Sequence, residues 1–378
     1  MSVDRTERAI EKVAALAATP MDLVSFWRSC TEVLAPVIPH YWTPCYFTLD
    51  PASLLVTSHF HEGLDAFPAE ALAQEYYGDD VNRLIDIALS PSGVSTLHEA
   101  TGGDPSASAR WRFNMTMGGD QEMLARLRTR EGETWGALGL YRKPGAPMFD
   151  EQDKRFLQVI GPHLAAGVRR AMTIGEAKDP EAADGPGLVV IDDTWSVRSA
   201  TPGAAHWLDR LRDAQTTAEG LPPSVVAVAA QGLQSLSRHE PATVAFSRVL
   251  APDGTWILLH GAPLSGEGGR RVAVIIEPAH PARIYPLLMS AYGLTARERE
   301  VVELVLTGSS TSEIATALFI SRLTVQNHLG NIFAKTGVRS RRDLVGKVFF
   351  SHYEPRLRDN ERRVLRGAPM RGGPANPD

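Results

Sequence analysis

Between residues 294 and 350 the sequence signals new helices faster than one long helix could use them, which forces several short helices to pack together. Ser310 is followed three residues later by Glu313, a capping-box pair in which each side chain satisfies an orphan amide of the first turn. Ser340 and Asp343 repeat the device in acidic form, and Ser321 stands where a third helix has to begin. Apolar residues recur at helical spacing: Val301, Val302, Val305 and Leu306; Ile314 and Leu318; Val325, Leu329, Ile332 and Phe333. Gly308 and Gly337 follow the first and third of these runs, where left-handed caps end helices. Helices this short are unstable alone, so the spacing predicts an all-α four-helix unit with a shared core.

The third helix has two unlike faces. At about 100° per residue, Val325, Leu329, Ile332 and Phe333 form one stripe. Leu323, Gln326, Asn327, Gly330, Asn331 and Ala334 form the other. An ordinary solvated face would carry Glu and Lys. This one carries amides, which pair bidentately with adenine in the major groove, and small residues, which permit close approach. Ser321, Arg322, Thr324, Lys335, Arg339, Ser340 and Arg341 surround it as candidate backbone contacts, the cations as phosphate partners. The expected partner is double-stranded DNA.

This segment resembles the DNA-binding domain of the LuxR family of bacterial transcription regulators. The resemblance rests on Leu294-Thr295-x-Arg297-Glu298-x-Glu300-Val301, Glu313-Ile314-Ala315, Ile320-Ser321-x-x-Thr324-Val325-x-Asn327-His328-Leu329 and Lys335-x-Gly337-Val338-x-Ser340-Arg341. It covers about 57 of 378 residues. It implies that the second and third helices form a helix-turn-helix, that the third reads bases, and that the fourth helps dimerise. Many relatives carry Lys where this chain has Gln326, which implies different preferred bases and a lighter phosphate grip. His328 sits at the edge of the apolar stripe and reads as a structural residue. On the fourth helix Leu344, Val345, Val348 and Phe349 make a stripe suited to a homodimer contact, unless Leu344 and Val348 merely complete the domain's own core.

Charge is unevenly distributed. Residues 290–350 hold eight Lys/Arg against five Asp/Glu, and 351–378 hold six against four, which leaves −10 on residues 1–289 of a chain whose net charge is −5. An acidic body with a basic end suits a tethered DNA reader, and a domain of only +3 needs a second copy for useful affinity. Two cysteines, Cys30 and Cys45, make no disulfide framework and suit a reducing compartment. The charged start MSVDRTERAIEKV lacks the apolar segment of a signal peptide, and no apolar run approaches the roughly 20 residues of a membrane span. A cytoplasmic location without membrane contact is expected.

In front of this unit the pattern is mixed. Residues 1–18 read as a helix, and a second starts at Thr19-Pro20 with Pro at the favoured first position. Strands are expected at 45–49, 54–60 and 135–141, helices near 68–76 and 121–129, and a long helix after Phe149-Asp150 that Pro162 interrupts. The run Leu140-Tyr141-Arg142, Phe149-Asp150-x-x-Asp153, Phe156-Leu157, Pro162-His163-Leu164 is similar to the end of GAF-type sensor domains in multidomain LuxR-family regulators, over roughly residues 20–172. Such a resemblance implies a central pocket for a small-molecule effector, and Trp42, Tyr46, Phe60, Tyr76, Tyr77 and Trp111 are the apolar candidates to line it. The same residues could serve only as core. After the Pro/Gly/Asp-rich stretch 175–187, strands at 187–191 and 195–199, a helix from Pro202 to about Leu211, helical content at 222–236 and strands at 242–250, 255–260 and 271–277 resemble a PAS domain, with Asp253-Gly254 as a two-residue hairpin turn.

The expected fold class is therefore α+β and multidomain. The expected division is helices and a GAF-like domain at 1–174, a linker at 175–187, a PAS-like domain at 188–285, the helix-turn-helix domain at 288–352 and a flexible basic tail at 353–378. His59 and His61 share one strand face, and Cys45 could join them, but no third ligand has fixed spacing, so no metal is expected. No P-loop, HExxH, GxSxG, kinase or cyclase motif occurs, so neither a catalytic residue nor a cofactor is expected. Three readings remain: a regulator whose front domains sense a ligand, a constitutive DNA-binding regulator whose front domains only dimerise or recruit partners such as RNA polymerase, and a sensor enzyme with an attached reader, for which no catalytic constellation argues.

Overall fold

The computed structural model describes residues 3–174, 186–212, 215–238, 244–264, 269–279, 287 and 289–348. These residues fall into two compact units, one made of the described residues up to 278 and the other of those from 279 to 348.

The first unit opens with α1 (Val3–Ala18) and α2 (Leu23–Leu34). Asp22 rather than Thr19 caps α2, because its carboxylate accepts the Ser25 amide at 2.9 Å. There follow β1 (Cys45–Leu49), β2 (Val56–Phe60), α3 (Ala69–Ala73), α4 (Leu84–Leu89), β3 (Val94–Thr96), α5 (Leu97–Ala100), α6 (Ala109–Thr116), β4 (Gln121–Arg128), β5 (Thr134–Arg142) and α7 (Glu151–Ile174). The strands form one antiparallel sheet in the order β2-β1-β5-β4-β3. The helix expected over 121–129 is instead β4. Its helix formers are overruled by pairing with β3 and β5, and the strand is buried along most of its length. Pro162 does not end α7, which runs unbroken from 151 to 174. Asp150 receives the amides of Gln152 and Asp153 at 2.8 and 2.9 Å and so starts that helix.

A second antiparallel sheet has the same relative order, β7-β6-β10-β9-β8, with strands β6 (Gly187–Asp192), β7 (Val197–Ala200), β8 (Ala245–Leu250), β9 (Trp256–Leu264) and β10 (Arg271–Pro278). Helices α8 (Ala204–Leu211) and α9 (Pro223–Arg238) lie between β7 and β8 in the chain. The first unit thus holds two five-stranded antiparallel sheets, each flanked by helices. The turn between β8 and β9 has three residues rather than two. Ala251 and Thr255 still pair at 2.9 Å, and Gly254 at φ 84° absorbs the extra residue.

The two sheets share one hydrophobic core that includes Phe47, Val56 and Leu124 from the first and Val189, Leu259 and Val274 from the second. Helix α9 explains the sharing. Residues 221–230 are buried without interruption, so the helix start is covered on every side and packs on β9 as well as on α3 and β2. Gly261 makes the close approach possible, since a Cβ there would meet the Val228 carbonyl oxygen at 2.6 Å.

The second unit contains α10 (Ala296–Leu306), α11 (Thr311–Ala317), α12 (Arg322–Thr336) and α13 (Arg341–Val348). Capping boxes at Thr295/Glu298 and Ser310/Glu313 start the first two, and Ser321 caps α12 through the Thr324 amide at 3.0 Å. Gly337 ends α12 in the left-handed conformation at φ 69°. The core is Val301, Val302, Val305, Ile314, Val325, Leu329, Ile332 and Leu344. This is the four-helix unit that the spacing predicts.

Candidate nucleic-acid interface and ligand cavity

Helix α12 buries Val325, Leu329 and Ile332 and turns Leu323, Gln326, Asn327, Gly330, Asn331 and Ala334 outward. No hydrogen bond among the described residues engages the side chains of Gln326, Asn327 or Asn331. Gly330 is informative. Nothing lies within 4 Å of where its Cβ would be, so internal packing does not require glycine there. A mid-helix glycine costs about 0.5–1 kcal/mol relative to alanine, so its bareness suits something that approaches from outside. Phe319, in the turn before α12, holds φ 55° and is 95% exposed, and Leu323 is 66% exposed. Two large apolar side chains therefore flank the amide face.

The expected cations divide into two groups. Arg322 and Arg339 are exposed. Lys335 instead holds Glu298 at 2.6 Å, and Glu298 is only 3% exposed. Burial pushes the Glu298 carboxyl up, but the Lys335 bond and the Thr295 amide outweigh it and leave it below the usual carboxylate range. Arg341 donates to the Ser309 carbonyl at 2.8 Å and the Thr311 hydroxyl at 3.1 Å, which fixes the turn into α11. Arg297 likewise donates to the Leu318 carbonyl and orients the turn into α12. Thr324 is half-buried against the Ser321 hydroxyl, and Ser340 caps α13 through the Asp343 amide at 3.0 Å. Both hydroxyls therefore serve helix starts. His328 is half-buried.

On α13 Leu344 is 1% exposed and belongs to the domain's own core, so it is not available to a second copy. Val345 is 37% exposed. The Val348 side chain and Phe349 lie outside the described residues, as do the 353–378 tail and most of the 175–187 stretch.

In the first unit a cavity of about 210 Å³ opens beside the first sheet. The residues expected to line it do not. Tyr46 and Phe60 face the opposite side, where Tyr46 stacks on Trp27 at 4.3 Å and bonds the Thr31 hydroxyl at 3.0 Å. Trp42 packs on Tyr141 and over Gly119. Tyr76 is spent on the Val56 amide at 2.7 Å, and Trp111 on Asp120 at 2.9 Å. Tyr77 packs against the shared core. The reason is the two-residue period of a strand: Phe47 pairs with His59 and Tyr46 with Phe60, so the faces alternate.

The cavity wall holds Cys45, Phe47, His59 and His61 instead. His59 stacks flat on Phe47 at 4.3 Å and lies 5.2 Å from Phe67, which in turn meets Phe113 at 5.8 Å. Burial pushes both imidazoles down, His59 well below its ordinary value and His61 to about 4, so both are neutral. Burial pushes the Cys45 thiol far up, which makes it inert. Among the described residues no group of three His, Cys, Asp or Glu side chains is placed to hold a metal ion. At the floor Arg110 bonds Glu75 at 2.5 Å and lies 3.5 Å from Glu122, which also receives Asn82 and Asn114 at 3.0 and 2.9 Å. Arg110 and Glu75 are 35 residues apart, so local patterning gave no sign of this network.

Among the described residues no helix is long and apolar enough to cross a membrane. Residues 293–348 match the family described as bacterial regulatory proteins, luxR family. The spore germination protein GerE of Bacillus subtilis is 52% identical over 52 residues, 14% of this chain and 70% of that protein. The monoamine regulon transcriptional regulator of Klebsiella aerogenes is 52% identical over 56 residues, 15% of this chain but only 25% of that protein. Solved structures similar to parts of the chain include the phycoerythrobilin-bound GAF domain of a cyanobacterial phytochrome, 14% identical with a TM-score of 0.33 over 44% of this chain and 95% of that one. The VqmA dimer of Vibrio cholerae is 19% identical with a TM-score of 0.22 over 44% of this chain and 81% of that one. Through its C-terminal helix-turn-helix domain the chain belongs to the LuxR family of bacterial regulatory proteins.

Proposed function

We propose that this protein is a sequence-specific transcriptional regulator that reads DNA with α12 and is controlled by a small molecule held in its first unit. The observation that carries the reading is the bare amide face of α12, where Gln326, Asn327 and Asn331 surround a glycine that internal packing does not need. In a major groove such amides pair with adenine edges while Gly330 admits the backbone close to the bases. Arg322 and Arg339 would meet phosphates directly. Lys335 and Arg341 would act chiefly by holding the reading helix and its turns. Two copies, with Val345 at the contact, would read an inverted repeat with half-sites about one helical turn apart. RNA polymerase is the further partner that such a regulator would meet.

The proposed division keeps a GAF-like part at 1–174, a PAS-like part at 188–285 and a DNA-binding part at 288–352, joined at 175–187 and followed by a tail at 353–378. Selection of a binding sequence by the full chain from a randomised duplex pool tests DNA reading. Recovery of a consensus is expected, and an unenriched pool would overturn the reading. Native mass spectrometry of the purified chain tests small-molecule control. A mass released on denaturation is expected.

A further inference from the structure

The cavity of the first unit is closed by both halves of that unit. Gln215, Thr216, Thr217 and Pro223 reach it from the second sheet's part of the chain. The strap they form is stitched across the mouth: the Gln215 side-chain carbonyl accepts the His61 amide at 3.2 Å, its amide group donates to the His61 carbonyl, the Ala218 amide donates to the Phe67 carbonyl at 2.8 Å, and Glu219 accepts the Ala69 amide at 2.7 Å. Whatever fills the cavity therefore touches both halves at once.

Its lining is unfinished in a specific way. His59 and His61 are 7% and 4% exposed, and His59 Nε2 and His61 Nδ1 have no hydrogen-bond partner. Arg110 Nε is likewise buried and unpaired. A buried polar atom left unpaired costs roughly 1–3 kcal/mol, and three at one cavity point to a ligand that supplies the missing bonds. Charge narrows its class. The lining carries three carboxylates, Glu70, Glu75 and Glu122, against one guanidinium, Arg110, and its two imidazoles are neutral. An anion entering this space would add like charge in a medium of low dielectric. The rings of Phe67, Phe113 and Tyr141 offer flat apolar surface to an aromatic body, and their π faces favour positive charge.

We propose that this cavity, shared by the two sheets and strapped by residues 215–219, binds a small planar organic cation that bears hydrogen-bond donors for the two imidazoles and an acceptor for the Arg110 Nε–H. The proposal deepens the small-molecule control put forward above and names the ligand's chemistry. Occupancy would tighten the joint between the GAF-like and PAS-like halves, since the ligand bridges His59 and His61 on one side and Thr217 on the other.

Three isosteric probes test the charge claim on the full chain: benzamidine, benzamide and benzoate, titrated calorimetrically. Benzamidine is expected to bind at least about tenfold tighter than benzamide, and benzoate not measurably. Equal affinity for benzamidine and benzamide, preference for benzoate, or failure of all three overturns the proposal. Two measurements fix the location. The imidazole resonances of His59 and His61 should shift with benzamidine in the unaltered protein, and Ala71→Phe, which fills the cavity, should abolish binding. Resonances that stay put, or undiminished binding to folded Ala71→Phe, would place the probe elsewhere and sink the site. DNA binding by the same preparations separates the two claims. Benzamidine that binds the cavity without altering affinity for the selected duplex overturns control and upholds the site, whereas loss of all probe binding with duplex affinity intact overturns the site alone.

Discussion

Arg248 on β8 and Asp50 just after β1 form a buried pair across the two sheets, with guanidinium bonds of 2.6 and 3.0 Å and the Arg248 amide donating to the same carboxylate at 2.9 Å. Asp50 is fully buried. Helix α9 supplies the apolar part of the same joint, so the two sheets of the first unit are fixed to each other by a shared core and an ion pair. Arg248→Met would leave an uncompensated carboxylate inside that joint, and a loss on the order of 3–5 kcal/mol is expected in urea unfolding of the full chain. A loss under about 1 kcal/mol would mean the pair contributes only what an exposed one does.

Gly330 separates stability from DNA reading. Gly330→Ala should stabilise the C-terminal domain by about 0.5–1 kcal/mol, since the site is helical and open outward. Gly330→Leu should fold equally well yet lose specific DNA binding, because the added side chain occupies the space the groove floor needs. Thermal unfolding and duplex titration read the two effects independently. A Leu variant that binds its duplex normally would mean that this face does not enter the groove.

The two groups of cations should behave differently. Arg322→Gln should weaken binding to all duplexes alike and lower the slope of log affinity against log salt by about one. Lys335→Met should instead lower stability by about 1–3 kcal/mol, because Glu298 is left buried without its partner. If Lys335→Met changes the salt slope and not the unfolding midpoint, its main partner is phosphate.

Acid should loosen the first unit. Burial holds His61 at about 4 and His59 well below its ordinary value. As pH falls below about 6.5, the unfolded chain takes up protons that the folded chain refuses, so stability falls over the window from about 6.5 down to about 4. Urea midpoints near pH 7 and pH 5 check this, and His61→Phe should shrink the difference between them.

What could be read from the sequence followed how local the cause was. Ser310/Glu313, Ser321 and Gly337 act within one turn of their own helices, so the four-helix unit and the outward face of α12 were legible residue by residue. The roles of Lys335 and Arg341 were not, because Glu298 and Ser309 are distant in sequence. In the first unit Met123, Leu124 and Leu127 suit a helix or a doubly buried strand, and only pairing with β3 and β5 decides between them. Aromatic content points to Tyr46 and Phe60 as the cavity wall, whereas Phe47 and His59 form it. Composition cannot tell the two faces of a strand apart, and a step of one residue exchanges them. The two-residue spacing of His59 and His61 puts them on one face. Their neighbours Phe67, Arg110 and Glu122 come from other elements, so the pair could not be recognised as a cavity wall.

Whether the amide face of α12 reads bases is decided by the affinity of the Asn327→Ala variant of the whole chain for selected and for random duplexes. Specific binding is expected to weaken by about 1–3 kcal/mol while binding to random duplex stays within error. Unchanged affinity for the selected duplex, or an equal loss on both, would contradict it.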